Sequence, residues 1–120
     1  PTFNLDEPVV VALTTTSRLD ALANPFRSTI VSPTTLTGVC VGVAVHAVVA
    51  AEYGWLQVLG TACVEVDGTI SVGLPVIVSD TDAGTVETIT DGAHELLQVA
   101  GAALTAGSTG EFTAINLQLI

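Results

Sequence analysis

The feature that most constrains this chain is a 17-residue segment that occurs twice, at residues 42–58 and 101–117. The two copies, GVAVHAVVAAEYGWLQV and GAALTAGSTGEFTAINL, align without a gap at an offset of 59 residues. Identical or similar residues pair at Gly42 and Gly101, Ala44 and Ala103, Ala47 and Ala106, Glu52 and Glu111, Tyr53 and Phe112, Leu56 and Ile115, and Val58 and Leu117. Two copies are too few for a solenoid, so the repeat predicts one structural unit used twice within a domain.

The residues after position 37 alternate in the manner of β-strands. Valines at 39, 41, 43 and 45 alternate with small residues, which predicts a strand buried on both faces. A strand is expected at 61–66, followed by a turn at Asp67-Gly68 and an antiparallel return at 69–72. Further strands are expected at 76–78 and 85–90, and the chain closes with a half-buried strand carrying Ile115, Leu117 and Leu119. Regularly spaced short strands predict an all-β domain over 38–120, as a small β-barrel or sandwich.

Residues 1–37 differ in composition from this domain and are predicted to form an extended N-terminal arm. They are rich in Thr, Ser and Pro, and prolines at 8, 25 and 33 oppose a continuous helix. A short helix at 17–23, capped by Ser17, is the one exception that the pattern allows. Two interpretations stay open for the arm: an ordered segment that lies on a partner, or a loosely packed terminus.

The charge balance limits the partners of the chain. Twelve acidic residues, two Arg and no Lys give a formal net charge of −10. Such a surface repels phosphate backbones, which argues against nucleic-acid binding. Only 12% of the 120 residues are charged, a low fraction for a monomer that exposes its whole surface to water. We therefore expect a subunit of an assembly, with much of its surface covered by neighbours.

Neither a membrane segment nor a secretion signal is expected from the sequence. The longest apolar run, at 39–51, is interrupted by Gly42 and His46 and is shorter than the roughly 20 residues of a membrane span. No basic start and apolar core mark a signal peptide, and Pro1 fits a cytoplasmic product that has lost its initiator Met. In that compartment Cys40 and Cys63 are expected to remain free, as small buried apolar residues.

The search for catalytic or metal-binding residues predicts neither an enzyme nor a cofactor. His46 and His94 lack ligands at the usual spacing, and no phosphate-binding loop or nucleophile elbow is present. Asp80, Asp82 and Glu87 flank a glycine-containing loop, but their spacing does not match a calcium-binding loop, so a solvated acidic turn is the favoured interpretation. An interfacial hydrolase or isomerase site, pairing a histidine with a neighbour's carboxylate, is the least favoured alternative.

The few aromatic and basic residues are the candidates for partner contacts. Tyr53 and Phe112 are expected to anchor strand starts in the core. Trp55 has no aromatic counterpart in the second copy, and a core position is favoured for it over an anchor at a subunit contact. The side chains predicted to contact a partner are Arg18, Phe26, Arg27 and Trp55.

Three segments in a characteristic order carry a resemblance to a known family: GVAVHAVVAAEYGWLQVLG, TACVEVDGTISVGLPVIVSDTDAG and VAGAALTAGSTGEFTAINLQL. With these three segments in this order, the chain resembles the bacteriophage head decoration proteins, also called capsid cement proteins. The resemblance covers the chain from about Gly38 to Leu119 and none of the arm. It implies a β-rich homotrimer that binds the major capsid protein on the outer capsid surface of the virion and stabilises the shell, without cofactors. The alternative is a tail or fibre β-module that recognises a host surface.

Overall fold

The computed structural model of the chain describes residues 14–16, 24–90, 92, 94 and 97–119. Within these residues the structure contains β-strands and no α-helix, which confirms the predicted all-β class. The predicted helix at 17–23 lies outside the described residues. The strands are β1 Val43–Ala44, β2 Leu56–Gln57, β3 Leu59–Glu65, β4 Thr69–Ile70, β5 Pro75–Val78, β6 Val86–Thr88, β7 Val99–Ala103, β8 Gly107–Ser108 and β9 Phe112–Gln118.

The largest sheet contains five antiparallel strands in the order β3-β9-β7-β5-β6. Its longest pairing joins β3 to β9 along the whole of both strands, from Leu59 opposite Gln118 to Glu65 opposite Phe112. The register between β5 and β7 shifts between Val76 and Ile77, a bulge that bends β5. Two small sheets, β1-β2 and β4-β8, complete the pairing of the described strands.

The two edges of the five-stranded sheet approach each other at one point. Val66, directly after β3, forms a parallel bridge with Val86 at the start of β6, and Asp67 N donates to Val86 O at 2.9 Å. Because a single bridge joins the edges, the sheet curls without closing. Of the two architectures that the sequence left open, the described strands therefore fit an open, sandwich-like fold better than a closed barrel.

The core lies on the inner face of this curled sheet. Ile115 and Leu117 are fully buried, as the alternation in the sequence predicted, and Ala114 and Asn116 on the opposite face are partly exposed. Burying a side chain of this size contributes about 1.5–3 kcal/mol. The other buried members of the core cluster are Ala62, Val64, Val66, Ile70, Val76, Val86, Ala100 and Ala103.

The predicted hairpin between residues 61–66 and 69–72 is wrong. The strand at 61–66 exists within β3, but its partner is β9, and β4 pairs with β8. Gly68 has the expected positive φ of 79°, but the turn is held by other segments, with Gly68 N donating to Thr109 Oγ1 at 2.9 Å. β3 pairs with β9 and not with β4, because the long β3–β9 pairing buries more apolar surface than a two-residue return strand could.

The doubly buried strand predicted at 39–45 is also wrong. Only Val43 and Ala44 are in a strand, and the side chains of Val39 and Val45 are 73% and 57% exposed. The alternation of branched and small residues forms a strand only at Val43 and Ala44, and among the described residues no second layer covers it.

The described parts of the predicted arm, residues 14–16 and 24–37, contain no strand. The longer of the two contacts the main domain at the β5–β6 turn, where Gly84 N donates to Ser32 O at 3.0 Å. Val31 lies beside the same glycine and remains 71% exposed. This portion of the arm therefore lies on the acidic turn at 79–85 and leaves apolar side chains in water.

Candidate docking surface on the first hairpin

The two copies of the repeat form antiparallel hairpins, here called the first hairpin (residues 42–58) and the second hairpin (residues 101–117). The first is β1 and β2 with their connection, and the second contains parts of β7 and β9. Adding the offset of 59 to the pairs of the first hairpin gives pairs of the second: Val43–Gln57 becomes Ala102–Asn116, and Ala44–Leu56 becomes Ala103–Ile115. The two hairpins therefore share one register.

The connections of the two hairpins also correspond. Two backbone hydrogen bonds recur at the same offset: Val45 N to Trp55 O (3.3 Å) matches Leu104 N to Ala114 O (2.8 Å), and Glu52 N to Val49 O (3.1 Å) matches Glu111 N to Ser108 O (2.9 Å). The residue before each glutamate is left-handed, with φ of 66° at Ala51 and 79° at Gly110. The repeat thus encodes both the strand pairing and the turn.

The glycine that opens each copy has the same steric role. A Cβ on Gly42 would lie 3.1 Å from Gln57 O and closer still to the Cβ of Leu56. A Cβ on Gly101 would collide with Asn116 O, the equivalent carbonyl of the second copy. Glycine at both positions lets the facing strand approach closely.

The hairpins differ in what covers them. In the second hairpin, β7 and β9 are paired with β5 and β3, and Ala103 and Ile115 are 2% and 0% exposed. In the first hairpin the equivalent Ala44 is exposed and Leu56 is half-buried. One hairpin is therefore built into the sheet, while its twin presents the corresponding face to solvent.

The aromatic side chains of the first hairpin lie on its surface. Tyr53 is fully exposed and Trp55 is 77% exposed, so the core positions expected for both residues are wrong. With Gly54 they line a shallow depression of about 310 Å³. Phe112, the counterpart of Tyr53, is also exposed, so the core position expected for it is wrong as well; it lies on the outer face at the start of β9. For Trp55, the alternative of an anchor at a subunit contact remains a prediction.

A second depression of about 450 Å³ lies between the arm and the domain. Cys40 and Gln98 join its two sides, because Cys40 N donates to Gln98 Oε1 at 2.6 Å and Gln98 Nε2 donates to Cys40 O at 3.0 Å. The side chains that line it are those of Pro25, Phe26, Val39, Cys40, Val41, Gln98 and Leu119. The chain entering the first hairpin is thus tied to the residue before β7.

Both cysteines are free thiols in the structure. Burial raises the pKa of the Cys40 thiol, although its hydrogen bond to Gly42 O acts in the opposite direction. Cys63 is exposed, so the prediction that both cysteines would be buried is wrong for this residue. It lies in β3 on the face of the sheet that points away from Ala62 and Val64.

The residues predicted to contact a partner do not form one patch. Phe26 is 50% exposed in the depression beside the arm, whereas Trp55 lines the depression on the first hairpin. Arg27 is exposed in a turn closed by a 3.1 Å hydrogen bond from its N to Asn24 O. Arg18 lies outside the described residues.

Apolar residues in the connection of the first hairpin extend the exposed surface, and they were not among the predicted contacts. Val48 and Val49 are 42% and 72% exposed, where the second copy has Gly107 and Ser108. The repeat indicates these residues, because the second copy forms the same turn without apolar side chains at the equivalent positions. The surface formed by Val45, Val48, Val49, Tyr53 and Trp55 is called the hairpin patch below.

The hairpin patch lies in the least charged part of an acidic chain. Between Asp20 and Glu65 the sequence contains a single acidic residue, Glu52. Because the whole chain carries a formal charge of −10, a second copy would meet the least repulsion here. Low charge and exposed aromatic residues are the features that distinguish the centre of a protein–protein interface from ordinary surface.

The residues considered for metal or catalytic chemistry are distributed over two places. His46 is exposed on the first hairpin, with Nδ1 3.1 Å from the carbonyl oxygen of Ala47. Asp80 and Glu87 lie together and are joined by His94, while Asp82 stays outside this group. The favoured interpretation of these carboxylates, a solvated acidic turn, is therefore wrong for Glu87, which is buried, and the sequence pattern did not indicate the approach of His94.

Within the described residues, no helix has the length and apolar character required to cross a membrane. Comparisons with protein-family models, curated proteins and solved structures found no match. The resemblance to head decoration proteins accordingly depends on the order of motifs in this chain alone.

Proposed function

We propose that this protein is a structural component of a bacteriophage virion that binds the outer surface of the capsid as a homotrimer and stabilises the shell. The observation that carries the proposal is the pair of hairpins, equal in register and turn but covered in only one case. The resemblance of residues 38–119 to decoration proteins supplies the capsid as the partner.

The uncovered hairpin supports association with a neighbouring subunit. Five large apolar side chains of the hairpin patch are between 42% and 102% exposed. Burying such side chains contributes about 1.5–3 kcal/mol each when burial is complete. Even after the entropic cost of association, a patch of this size favours a protein partner over water.

The charge distribution supports a second copy of the chain as that partner. Two subunits of charge −10 repel each other most where carboxylates face each other, and Glu52 is the only acidic residue near the patch in the sequence. Repeated weak contacts between trimers and capsid would then hold the protein by avidity.

The double variant Y53A/W55A tests the subunit contact. We expect the wild type to have the mass of a trimer by light scattering and the variant to dissociate, with a loss of at least about 2 kcal/mol, or roughly 30-fold, typical of aromatic hot spots. F112A is the matched control, because Phe112 is the exposed counterpart of Tyr53 on the second hairpin. It should keep the trimer mass.

Cosedimentation with heads of the phage that encodes the chain tests the capsid assignment. The wild type and F112A should sediment with heads, and Y53A/W55A should remain in the supernatant because avidity is lost with the trimer. A wild-type protein that is monomeric at all concentrations would contradict the trimer. A trimer that purifies with tails and ignores heads would favour the tail or fibre alternative.

A further inference from the structure

We infer that the hairpin patch of one subunit docks into the depression between the arm and the domain of the next copy, with Glu52 facing Arg27 across the contact. The inference rests on the proposed homotrimer and adds the surface that receives the patch. The depression, called the arm groove below, has a volume of about 450 Å³. It is lined by Pro25, Phe26, Val39, Cys40, Val41, Gln98 and Leu119.

A closed trimer requires two different contact surfaces on each subunit. A surface that meets its own copy joins subunits in pairs about a two-fold axis. A ring of three subunits is built head to tail, so each subunit presents one surface to the previous neighbour and another to the next. The hairpin patch supplies one of these surfaces, and a separate surface must receive it.

The arm groove has the chemistry of a surface that receives apolar side chains. Its lining residues in the described chain are all uncharged, and most of them are apolar. The backbone polar groups of Cys40 are already paired with the side-chain amide of Gln98. Burial raises the pKa of the Cys40 thiol, which keeps it uncharged at neutral pH. A partner that covers the groove would therefore leave neither a charge nor these backbone groups without compensation.

Both surfaces expose apolar side chains that a monomer would leave in water. Phe26 in the groove is half-exposed and Val39 is largely exposed, as are Tyr53 and Trp55 on the patch. Two aromatic side chains bury roughly 300–500 Å² when they are covered completely. This is a large part of the area of about 800 Å² that each partner contributes to a stable interface. One head-to-tail contact would cover both surfaces at once.

Charge complementarity favours this pairing of the two surfaces. Glu52, the only acidic residue within 21–64, directly precedes Tyr53 of the patch. Arg27, one of two basic residues in the chain, directly follows Phe26 of the groove. Both charged side chains are exposed, and neither forms an ion pair within the part of the chain that the structure describes. Docking of the patch into the groove would bring these opposite charges together at the rim of the contact.

The same arrangement explains why the predicted partner contacts occur in two places. Phe26 lines the arm groove and Arg27 follows it, whereas Trp55 belongs to the hairpin patch. In a ring, each contact combines the groove of one subunit with the patch of its neighbour. Residues that are separate within one subunit therefore meet between two subunits.

Exchange of the two charges tests the inference by light scattering over a dilution series. We expect R27E and E52R each to weaken the trimer at least about 10-fold, because each change places like charges opposite each other. The double variant R27E/E52R restores an opposite pair and should recover the trimer mass. F26A should also weaken the trimer, since it removes the aromatic side chain of the groove.

The mismatched double variant R27E/E111R is the matched control, because Glu111 is the counterpart of Glu52 on the second hairpin. Both double variants keep the formal net charge of −10, so only the position of the new positive charge differs. R27E/E111R should remain as weakly associated as R27E. Circular dichroism checks that every variant is folded. Equal recovery by the two double variants would show that net charge controls assembly, and would overturn the contact.

The remaining outcomes separate this inference from the proposed function. A trimer that dissociates in Y53A/W55A but is unchanged in R27E, E52R and F26A would overturn the groove as the receiving surface, while the proposed trimer would stand. Failure of R27E/E52R to recover the trimer would overturn the facing charges. A wild type that is monomeric at all concentrations would contradict the proposed trimer itself and this contact with it.

Discussion

The first and second hairpins share a register, a turn and a close-packed glycine, yet one lies on the surface and the other is part of the main sheet. Ile115 is fully buried, while Leu56 at the equivalent position is only half-buried. The comparison teaches that the repeat specifies the conformation of a hairpin, while its neighbours decide its burial. In the second hairpin those neighbours are β3 and β5 of the same chain. For the first we propose that another subunit takes that place.

The largest expected difference between the hairpins is in the free energy of unfolding that is lost when equivalent aliphatic side chains are truncated to alanine. I115A should lower the free energy of unfolding by about 2–5 kcal/mol, because it leaves a cavity in the core. L56A should cost about 1 kcal/mol or less in dilute protein, since its side chain is half-buried. Urea denaturation of both variants measures the difference.

Protein concentration sharpens this comparison. If a neighbouring subunit covers the first hairpin, the destabilisation by L56A should grow as the concentration rises and the wild type assembles. The effect of I115A on the fold should be present at every concentration. Equal and concentration-independent losses for the two variants would mean that the hairpins are buried alike, contrary to the structure.

An intermediate effect is expected at Asp67, which belongs to the turn that holds the loop of the second hairpin. Asp67 Oδ2 accepts a hydrogen bond from Ser79 Oγ at 2.9 Å and another from Thr81 Oγ1. The bonds from Thr81 and Ser79 lower the pKa of the Asp67 carboxyl below its ordinary value of 3.8. Ionised Asp67 therefore stabilises the fold above about pH 4, and this contribution is lost as the pH falls through the lower, folded-state pKa.

D67A removes this contribution and tests whether the ionised Asp67 carboxylate stabilises the fold. At pH 7 the variant should lose about 1 kcal/mol or less, since the carboxylate is partly exposed. Thermal unfolding between pH 6 and pH 2 should show the gap between wild type and variant narrowing below pH 3.8. A gap that widens on acidification would show that the carboxylate does not stabilise the turn in its ionised form.

The smallest expected effects lie at the left-handed turn residues. G110A places a side chain at φ 79° with open space around it, so only backbone strain opposes the change, at about 0.5–1 kcal/mol net. A51G should relieve the same strain at φ 66° and stabilise by a similar amount. Denaturant midpoints of the two variants should move in opposite directions. Movement in the same direction would indicate that the two turns are not equivalent in solution.

Several features of the fold and candidate sites could be read from the sequence. The alternation at Ile115 and Leu117 predicts the buried strand, and the repeat at a constant offset predicts one strand-turn-strand unit used twice. Asp80 and Glu87 were found as neighbouring oxygen donors in a short turn. These features depend on residues close together in sequence, where side-chain period and turn chemistry act directly.

The rest depended on contacts between distant segments. The Asp67-Gly68 dipeptide is typical of a simple hairpin, but β3 pairs with β9 and not with the strand that follows this turn. A core position is expected for Trp55 because large aromatic residues are usually buried, and only the fold shows that nothing in the described chain covers it. His94 also lies beside Asp80 and Glu87, a proximity that the spacing of these residues in the sequence did not indicate.

The sequence by itself determined the all-β class, the duplicated hairpin and the concentration of acidic charge away from residues 21–64. The tertiary structure alone decided which hairpin is buried, which strands are partners, and which donors converge at Asp80. The physical reason is that strand periodicity and turn preference are local properties, whereas pairing and burial are chosen by the total apolar surface removed from water.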